Sequence, residues 1–594
     1  MNILYVITIL IMYILFMLMR KSEKQQNPIA WIAITTILIM CYNVFICLIY
    51  NFIGILCTLQ NLSIANLIII AIFSIILLKS KKIQKYNIKI LDIVFAIVLL
   101  MIVIFIAYKQ YGFPFRIKYE ITDASTHFFY AEQFYKSSTL LYKIEANNIF
   151  GLYSSDFRLP GAYVNEGILF KIFEGIVENQ DIFILFDLFV LYLSGILFYY
   201  LLKTSTKEGK RNQVIAIIGA VMYMLGYQLN SMLYGFVYLS LVLDIIIAFL
   251  LIMVKSEKKE MLNSVSLGIL TLLSFGIFFS YAMFIPIIYI AFITNIIIKG
   301  ITKQEKIFSE DNLMKVLLVI VNPLILGLTF FIILPLASGI KTEVSTLTLL
   351  GVNYENYITN FLGFIPIYII AIIVAIKNKK KQMSFSTISL ILSIIFVIIF
   401  WIGNKLNMVS RYYCFKVYYI IFPCALHNVY MILCNILEGE NKKLKIGTYI
   451  YISIYLISII ISTALIKNIG INHIWYYNRE RIKNERYILS SEEVEIFKEY
   501  KTLEKSEVYV LGSLYEGRLK WMTVLYDKNK IFYDVAHNER RTIEKWIEEN
   551  DYKYYIAYYK DYNRLDENGA NLEENSNEYN ILHQNDYGFI LERK

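Results

Sequence analysis

Fourteen apolar segments, each close to the length of a membrane-spanning helix, recur along this chain of 594 residues. A span needs roughly 20 mostly apolar residues. One soluble core could not absorb all of these segments, because 58% of the residues are hydrophobic and 18% are charged. Soluble proteins average about 45–50% and about 25%. We therefore predict an all-α polytopic membrane domain. The predicted spans are 3–19, 29–50, 54–78, 88–108, 182–202, 213–229, 232–254, 262–279, 281–298, 314–336, 357–376, 385–403, 413–437 and 447–466.

The basic loops between these segments predict the topology, because cytoplasmic loops of membrane proteins are rich in Lys and Arg. Fourteen spans with the N-terminus outside place all strongly basic loops in the cytoplasm. The count depends on 262–298, whose 37 uncharged residues would form a single helix of about 55 Å. Two short helices that turn near Phe279–Ser280 fit the bilayer better. The basic loops are 20–28, 79–89, 203–211, 255–259, 299–315, 377–381 and 442–445.

The C-terminal segment is polar and has its own composition. Residues 474–594 contain 19 Lys+Arg and 24 Asp+Glu, so the formal net charge of +10 arises in the preceding residues. That charge therefore reports orientation, and we expect no nucleic-acid partner. We predict two domains: a polytopic membrane domain, 1–473, with a large extracytoplasmic loop at 109–181, and an extracytoplasmic α/β accessory domain, 474–594. β-Branched and aromatic residues predict its strands at 507–511, 521–526, 530–535, 552–559 and 587–591, and helical spacing predicts a helix over 539–549.

The large loop begins with a motif that can carry chemistry. Thr122 or Asp123 can cap a helix that starts at Ala124, which places Asp123 and His127 one turn apart on one face. Such a pair suits a carboxylate base oriented by an imidazole, or a site for a divalent cation. The alternative is an Asp that only caps the helix and a His that only packs. The aromatic residues that follow are expected at the membrane interface. They include Phe128, Phe129 and Tyr130.

A second cluster lies further along the same loop. Arg158 is a candidate phosphate ligand, because a guanidinium can bind two phosphate oxygens at once. Asp156 and Glu166 are candidate carboxylates on the acceptor side. The alternative interpretation is an ordinary solvated loop.

A third cluster lies between the twelfth and thirteenth predicted spans. Lys405, Arg411 and Lys416 are basic residues on the predicted outer face, where the topology rule does not call for them. Three cations at the headgroup level would suit a lipid phosphate. The alternative is simple headgroup binding by snorkelling side chains.

This layout resembles the GT-C class of membrane glycosyltransferases, which includes polyprenyl-phosphate-dependent mannosyl- and arabinosyltransferases and the oligosaccharyltransferases. The resemblance covers roughly residues 88–440 and is strongest toward poorly characterised bacterial envelope proteins. Three features carry it: the Asp123–His127 segment soon after a span, the Arg158–Gly161 segment, and Arg411 near the last spans. An Asp-x-Asp pair in the loop and a Trp-Trp-Asp motif in the tail are both missing.

The resemblance implies a hexosyl- or pentosyltransferase that uses a sugar on polyprenyl phosphate and a cell-envelope glycan or lipid acceptor. Asp123 would be the base, and His127 would orient it or assist a divalent cation, Mg²⁺ or Mn²⁺. The leaving phosphate would be stabilised by Arg158, Lys405, Arg411 and Lys416. Three alternatives stay open: an envelope polysaccharide polymerase or ligase, a lipid-linked-glycan transporter or flippase, and a scaffold. A flippase would show repeat symmetry and a polar path through many spans, and neither is evident in the sequence.

Overall fold

The structure is a computed structural model. It describes residues 3–18, 26–80, 84–118, 122–140, 159–258, 263–302, 306–333, 346–348, 384–464, 474–484, 487–511, 516–526, 547–558 and 576–594.

Helices are the regular elements of the first half of the chain within the described residues. Its helices are α1 Ile3–Leu18, α2 Pro28–Phe52, α3 Leu59–Ser80, α4 Ile90–Tyr111, α5 Thr122–Ser137, α6 Gly161–Ile172, α7 Asn179–Ser205, α8 Lys210–Tyr223, α9 Leu229–Leu233 and α10 Val237–Glu257. A five-residue π-helix, Met224–Gln228, joins α8 to α9.

Helices also dominate the described part of the second half up to residue 525. They are α11 Asn263–Ser280, α12 Ile285–Ile301, α13 Glu310–Val316, α14 Asn322–Leu328, α15 Phe385–Lys405, α16 Arg411–Lys416, α17 Tyr418–Glu438, α18 Lys442–Ala464, α19 Ile474–Asn484, α20 Ser491–Tyr500 and α21 Glu516–Leu525. Two further π-helices, Leu317–Val321 and Thr329–Ile333, flank α14. Three short 3-10 segments are Ala282–Phe284, Thr346–Thr348 and Lys505–Glu507.

The chain is a multi-pass membrane protein. Among the described residues, eleven helices are long and apolar enough to cross a bilayer, and α1 and Ser264–Ser280 are shorter apolar helices. These correspond to thirteen of the fourteen predicted spans, and the predicted span at 357–376 lies outside the described residues. The total of fourteen and the orientation of the termini stay predictions.

The predicted division of 262–298 into two helices is confirmed. Helix α11 ends at Ser280, and Tyr281 has extended backbone angles, φ −159° and ψ 93°. Pro286 then occupies the first turn of α12, where its missing N–H and fixed φ are tolerated. The polar backbone at the break therefore lies between two helices that are each short enough for a span.

Helix α10 lies at the centre of the helical packing. Nearly all of its residues from Val237 to Lys255 are buried, and α7 and α11 pack against it. Helix α6, which precedes α7, is also buried along most of its length. The amide of Asn165 on α6 donates to the carbonyl oxygens of Met40 (3.3 Å) and Gly161 (2.8 Å), which ties α6 to α2.

The chain divides into two compact units. The larger unit comprises Met1–Ile106, Ala131–Tyr142 and Phe157–Ile482, and the smaller comprises Ala107–Tyr130, Lys143–Asp156 and Lys483–Lys594. The predicted domain boundary between residues 473 and 474 stays a prediction.

The smaller unit contains a four-stranded sheet. Its strands are β1 Val508–Leu511, β2 Tyr554–Tyr558, β3 Tyr579–Asn585 and β4 Gly588–Arg593. Their order is β1-β2-β4-β3, with β1 and β2 parallel and the other pairs antiparallel. Helix α20 packs against β3 and β4. A buried ion pair between Arg518 and Glu493, 2.6 Å apart, ties α21 to α20. The backbone N–H of Ile488 donates to the Ile117 carbonyl at 2.8 Å, which joins residues 107–118 to this unit.

The predicted strands of this segment are partly correct. The strands at 507–511, 552–559 and 587–591 are confirmed by β1, β2 and β4. The strand at 521–526 is wrong, because these residues belong to α21 or directly follow it. Trp521, Met522 and their neighbours are nearly all buried, and a short, fully buried apolar run does not distinguish a strand from a helix. Strand β3 is polar and was missed. The strand at 530–535 and most of the helix at 539–549 lie outside the described residues.

Candidate functional site

Asp123 and His127 lie on one helix, as predicted. Helix α5 begins at Thr122, two residues before the predicted start, so Asp123 lies in its first turn. The two side chains are separated by one helical turn, which places them on one face. Both are partly exposed. The geometry therefore permits the imidazole to orient the carboxylate, while the assignment of both residues as catalytic stays a prediction.

The aromatic residues of α5 face other parts of the protein. Phe128, Phe129 and Tyr130 are buried within the protein. The ring of Phe128 packs against Trp521 of α21, with centroids 5.8 Å apart. These side chains therefore pack in the protein core, and their location at the membrane interface stays a prediction.

Of the second cluster, only Glu166 can be placed. Arg158 and Asp156 lie outside the described residues. Glu166 lies on α6 and is fully buried, and both of its carboxyl oxygens lack a hydrogen-bond partner among the described residues. Burial, reinforced by the nearby Asp187 carboxyl, raises the pKa of Glu166 well above its usual range. This environment favours a neutral carboxylic acid, so the alternative of a solvated loop is wrong at this position.

The three cations of the third cluster lie in different environments. Lys405 ends α15 and is exposed, and Arg411 begins α16 and is also exposed. Lys416 ends α16 and is only 2% exposed. The sequence analysis predicted all three at the level of the lipid headgroups. In the structure, two of them are exposed cations and the third is a buried ammonium.

Five aromatic rings surround the Lys416 ammonium. Its Nζ lies 4.1 to 5.9 Å from their centroids and bonds the hydroxyl oxygen of Tyr238. Each such contact is worth about 0.5–1 kcal/mol when exposed and about 2 when desolvated. We call this group the Lys416 cage. Its rings are Phe236, Tyr238, Tyr281, Tyr412 and Tyr413.

Two breaks between helices supply the distant rings of the cage. Helix α9 ends in a Schellman motif: the N–H of Phe236 donates to the Ser231 carbonyl and that of Gly235 to the Met232 carbonyl, as the motif requires. Gly235 has φ +67°, which favours glycine. This turn fixes Phe236 before α10 begins. Tyr281 comes from the break between α11 and α12, and it packs against Tyr238 with centroids 5.4 Å apart.

A further cation, which the sequence analysis did not single out, extends the cage. Tyr234 stacks on Phe236 with centroids 5.5 Å apart and planes 13° from parallel. The Arg481 guanidinium of α19 lies over the Tyr234 ring at 3.9 Å. Two cations, Lys416 and Arg481, therefore contact the rings of one stacked pair. The sequence analysis predicted 474–594 as a separate polar domain. Because this segment contains many charged residues, nothing distinguished Arg481 from the others.

The described residues do not fit a resident divalent cation. Within the described ranges, no group of three or more His, Cys, Asp or Glu side chains could hold a metal ion. Asp123 and His127 alone supply two ligands, fewer than Mg²⁺ or Mn²⁺ takes. The predicted cation stays a prediction, and no chemical step below depends on it.

No protein-family model matches this sequence, and no curated protein matches it. Similar solved structures include the following two. One is ArnT from Cupriavidus metallidurans bound to undecaprenyl phosphate, with a TM-score of 0.47, 9% identity, and coverage of 84% of this chain and 97% of ArnT. The other is the apo oligosaccharyltransferase of Archaeoglobus fulgidus, with a TM-score of 0.44, 11% identity, and coverage of 78% and 70%. Because both TM-scores lie below 0.5, neither similarity decides the fold or the activity of this chain.

The chemistry of the site follows from its own residues. An ammonium packed among aromatic rings is stabilised by their quadrupoles, which add no net negative charge. Four of the five rings are tyrosines, whose hydroxyls can donate hydrogen bonds to an anion or to a sugar. The exposed Arg411 can attract an anion, and its guanidinium lies over the Phe415 ring at 5.4 Å. Among the described residues, the Lys416 cage thus combines a buried cation with several hydroxyl donors, a set of groups that can stabilise a phosphate.

Proposed function

We propose that this protein is a membrane glycosyltransferase. It transfers a sugar from a polyprenyl-phosphate-linked donor to a cell-envelope glycan or lipid acceptor on the extracytoplasmic face. The observation that carries the proposal is the Lys416 cage: a buried ammonium among five rings, at helix ends that the basic-loop pattern predicts to face outside. The resemblance of the layout to the GT-C class supports the same reaction.

The proposed reaction is a displacement at the anomeric carbon. Asp123 takes the proton from the acceptor hydroxyl, whose oxygen forms the new bond to the anomeric carbon. The bond from that carbon to the phosphate oxygen breaks, and the lipid phosphate leaves with the electron pair. Lys416, with Arg411 and Arg158, stabilises the charge that develops on the phosphate. His127 orients the Asp123 carboxylate.

A transfer assay tests the proposed base. Membranes that contain wild type, Asp123→Asn or Glu178→Gln are given a panel of radiolabelled polyprenyl-phosphate hexoses and pentoses. Removing a general base costs about 10²–10⁴-fold in rate, so Asp123→Asn should lose nearly all transfer. Glu178 is an exposed acid whose side chain makes no capping bond at the start of α7, and its variant should match wild type. Equal transfer by Asp123→Asn, at equal protein level, would overturn the base.

A binding assay tests the donor class. Purified wild type in detergent should bind a polyprenyl phosphate more tightly than the matching uncharged polyprenol. Equal affinity for the two lipids would overturn the proposed donor. Transfer from a pyrophosphate-linked oligosaccharide alone would also overturn it, and would favour the polymerase or ligase alternative.

A further inference from the structure

The π-helix between α8 and α9 is held from outside by α19. A π-helix disturbs the regular i→i+4 bonding and frequently marks a functional site. Here the side-chain amide of Asn478 donates to the carbonyl oxygens of Leu225 and Gly226, both at 2.8 Å. The indole N–H of Trp475 donates to the Met222 carbonyl at 3.1 Å. Two side chains of α19 therefore bond three backbone carbonyls, two in the π-helix and one in the last turn of α8.

The Asn478 amide continues into a buried line of hydrogen bonds. Its Oδ1 accepts from the Asn230 side-chain amide at 2.7 Å, and the Asn230 Oδ1 accepts from the Tyr419 hydroxyl at 2.5 Å. Asn478, Asn230 and Tyr419 are each at most 2% exposed. Both donor hydrogens and the acceptor oxygen of Asn478 are used. A flipped amide would oppose all of these bonds, so this network defines the orientation of the side chain.

Both ends of this network lie close in the chain to residues of the Lys416 cage. Asn230 lies on α9, four residues before Tyr234, whose ring stacks on Phe236. Tyr419 lies on α17, three residues after Lys416. Asn478 therefore joins the helix that presents the Phe236 ring to the helix that follows the ammonium. Arg481, one turn further along α19, covers the outer face of Tyr234.

Close packing supports the same contact. A Cβ atom added at Gly226 would lie 3.3 Å from the Trp475 indole nitrogen, a distance that requires the neighbour to shift. The indole ring also packs against Phe422 of α17, with centroids 6.1 Å apart. The fit between α19 and the π-helix is therefore close, with little room for a side chain at Gly226.

We propose that Asn478 is a positioning residue that sets the geometry of the Lys416 cage, with Trp475 as its partner on α19. The inference rests on the proposed function, because it gives this cage the task of holding the donor phosphate. Without the Asn478 amide, three buried polar groups lose a partner, and the turn that carries Tyr234 and Phe236 shifts relative to Lys416.

The test compares Asn478→Leu, Asn478→Asp and Lys483→Leu with wild type. Leucine has nearly the same shape as Asn but makes none of the bonds, and aspartate keeps only the acceptor for Asn230. Lys483 is exposed on the same helix and gives a matched apolar change. Because the turn that carries Tyr234 and Phe236 would shift relative to Lys416, Asn478→Leu should weaken binding of a polyprenyl phosphate about 10-fold. Binding of the uncharged polyprenol should stay unchanged, Asn478→Asp should lie between, and Lys483→Leu should match wild type.

A purely structural role predicts a different pattern. In that case Asn478→Leu would lower only the folded fraction and kcat, with KM and phosphate affinity unchanged in the folded protein, and the proposal would be overturned. Amide hydrogen exchange gives a readout that does not depend on the reaction. Exchange should accelerate in Met224–Phe236 and near Tyr419, and unchanged exchange there would also overturn the proposal. If wild type does not prefer the phosphate over the polyprenol, the donor assignment fails, and the exchange data alone then decide whether Asn478 positions the cage.

Discussion

Two lysines near opposite ends of α10, the partly exposed Lys203 and the buried Lys416, are stabilised in different ways. Lys203 lies 2.6 and 2.8 Å from the two Asp92 carboxylate oxygens, and the Tyr199 hydroxyl donates to the same carboxylate at 2.7 Å. Lys416 lies instead among aromatic rings. Helix α10 links the two sites. Its Tyr238 bonds Lys416, and its Lys255, about 26 Å further along the helix, bonds Gln26. The next residue, Asn27, bonds Asp92. The carboxylate neutralises Lys203, whereas the aromatic rings add no net negative charge to Lys416. The first arrangement suits a structural clamp, and the second suits an anion site.

The largest expected effect concerns the stability of the clamp. Lys203→Met leaves the Asp92 carboxylate buried without its cation and should lower the free energy of unfolding by about 3–5 kcal/mol. Thermal unfolding in detergent measures the loss. The double variant Asp92→Leu with Lys203→Met removes both charges and should recover most of the stability, since replacing a buried pair by apolar residues is often neutral. A double variant as unstable as the single one would contradict the structural interpretation of this pair.

For Lys416 we expect a smaller loss of stability and a large loss of activity. Lys416→Met places an unbranched apolar chain among the same rings, so its thermal midpoint should fall less than that of Lys203→Met. Removing one group that stabilises charge in the transition state costs about 10²–10³-fold in rate, and we expect that loss in kcat/KM for sugar transfer. Lys416→Arg keeps the charge and should retain more activity than Lys416→Met. If Lys416→Met unfolds the protein and leaves the transfer rate per folded molecule unchanged, the two lysines have the same structural role.

The difference between these lysines could not be predicted from the sequence. Lys405, Arg411 and Lys416 lie within twelve residues of one another and looked alike, because burial depends on partners that are distant in the chain. The rings of Phe236, Tyr238 and Tyr281 come from helix ends that only the folded packing brings to Lys416.

Features that depend on local pattern were easier to predict. The break at Tyr281 was predicted near Phe279–Ser280, because a single helix over 262–298 would exceed the bilayer thickness and the basic flanks on both sides require an even number of crossings. The placement of Asp123 and His127 on one helix followed from spacing and a capping signal. The helix at 516–525 was missed, because a short run that is buried on all sides has no periodicity to distinguish it from a strand. Arg481 and Asn478 were missed because α19 is polar on average, so its buried apolar residues, Ile474 and Trp475, did not distinguish it from the polar segment that follows.

Glu166 is a third ionisable group in an unusual environment. The dependence of protein stability on pH distinguishes it from both lysines. Burial and Asp187 raise the pKa of Glu166 in the folded protein, while the unfolded chain keeps the ordinary value of about 4.3. As pH rises above that value, the folded state binds more protons than the unfolded state, so the free energy of unfolding falls. Glu166→Gln should remove this decline, giving a flatter thermal midpoint between about pH 5 and 8. Glu178→Gln, at an exposed acid, should retain the wild-type slope, and an equal slope in Glu166→Gln would contradict a protonated carboxyl.

The smallest expected effect belongs to the exposed cations, and its salt dependence completes the comparison. A Lys or Arg near an anionic surface contributes about 1 kcal/mol, so Lys405→Gln or Arg411→Gln should weaken binding of a polyprenyl phosphate roughly 5-fold at low salt. The Debye length falls from about 10 Å at 0.1 M to about 3 Å at 1 M ionic strength, and this loss should largely vanish at high salt. Lys416 is buried, so the loss in Lys416→Met should persist there. A salt-sensitive effect at Lys416, or a salt-resistant one at Arg411, would reverse the assignment of which cation binds the phosphate directly and which only attracts it.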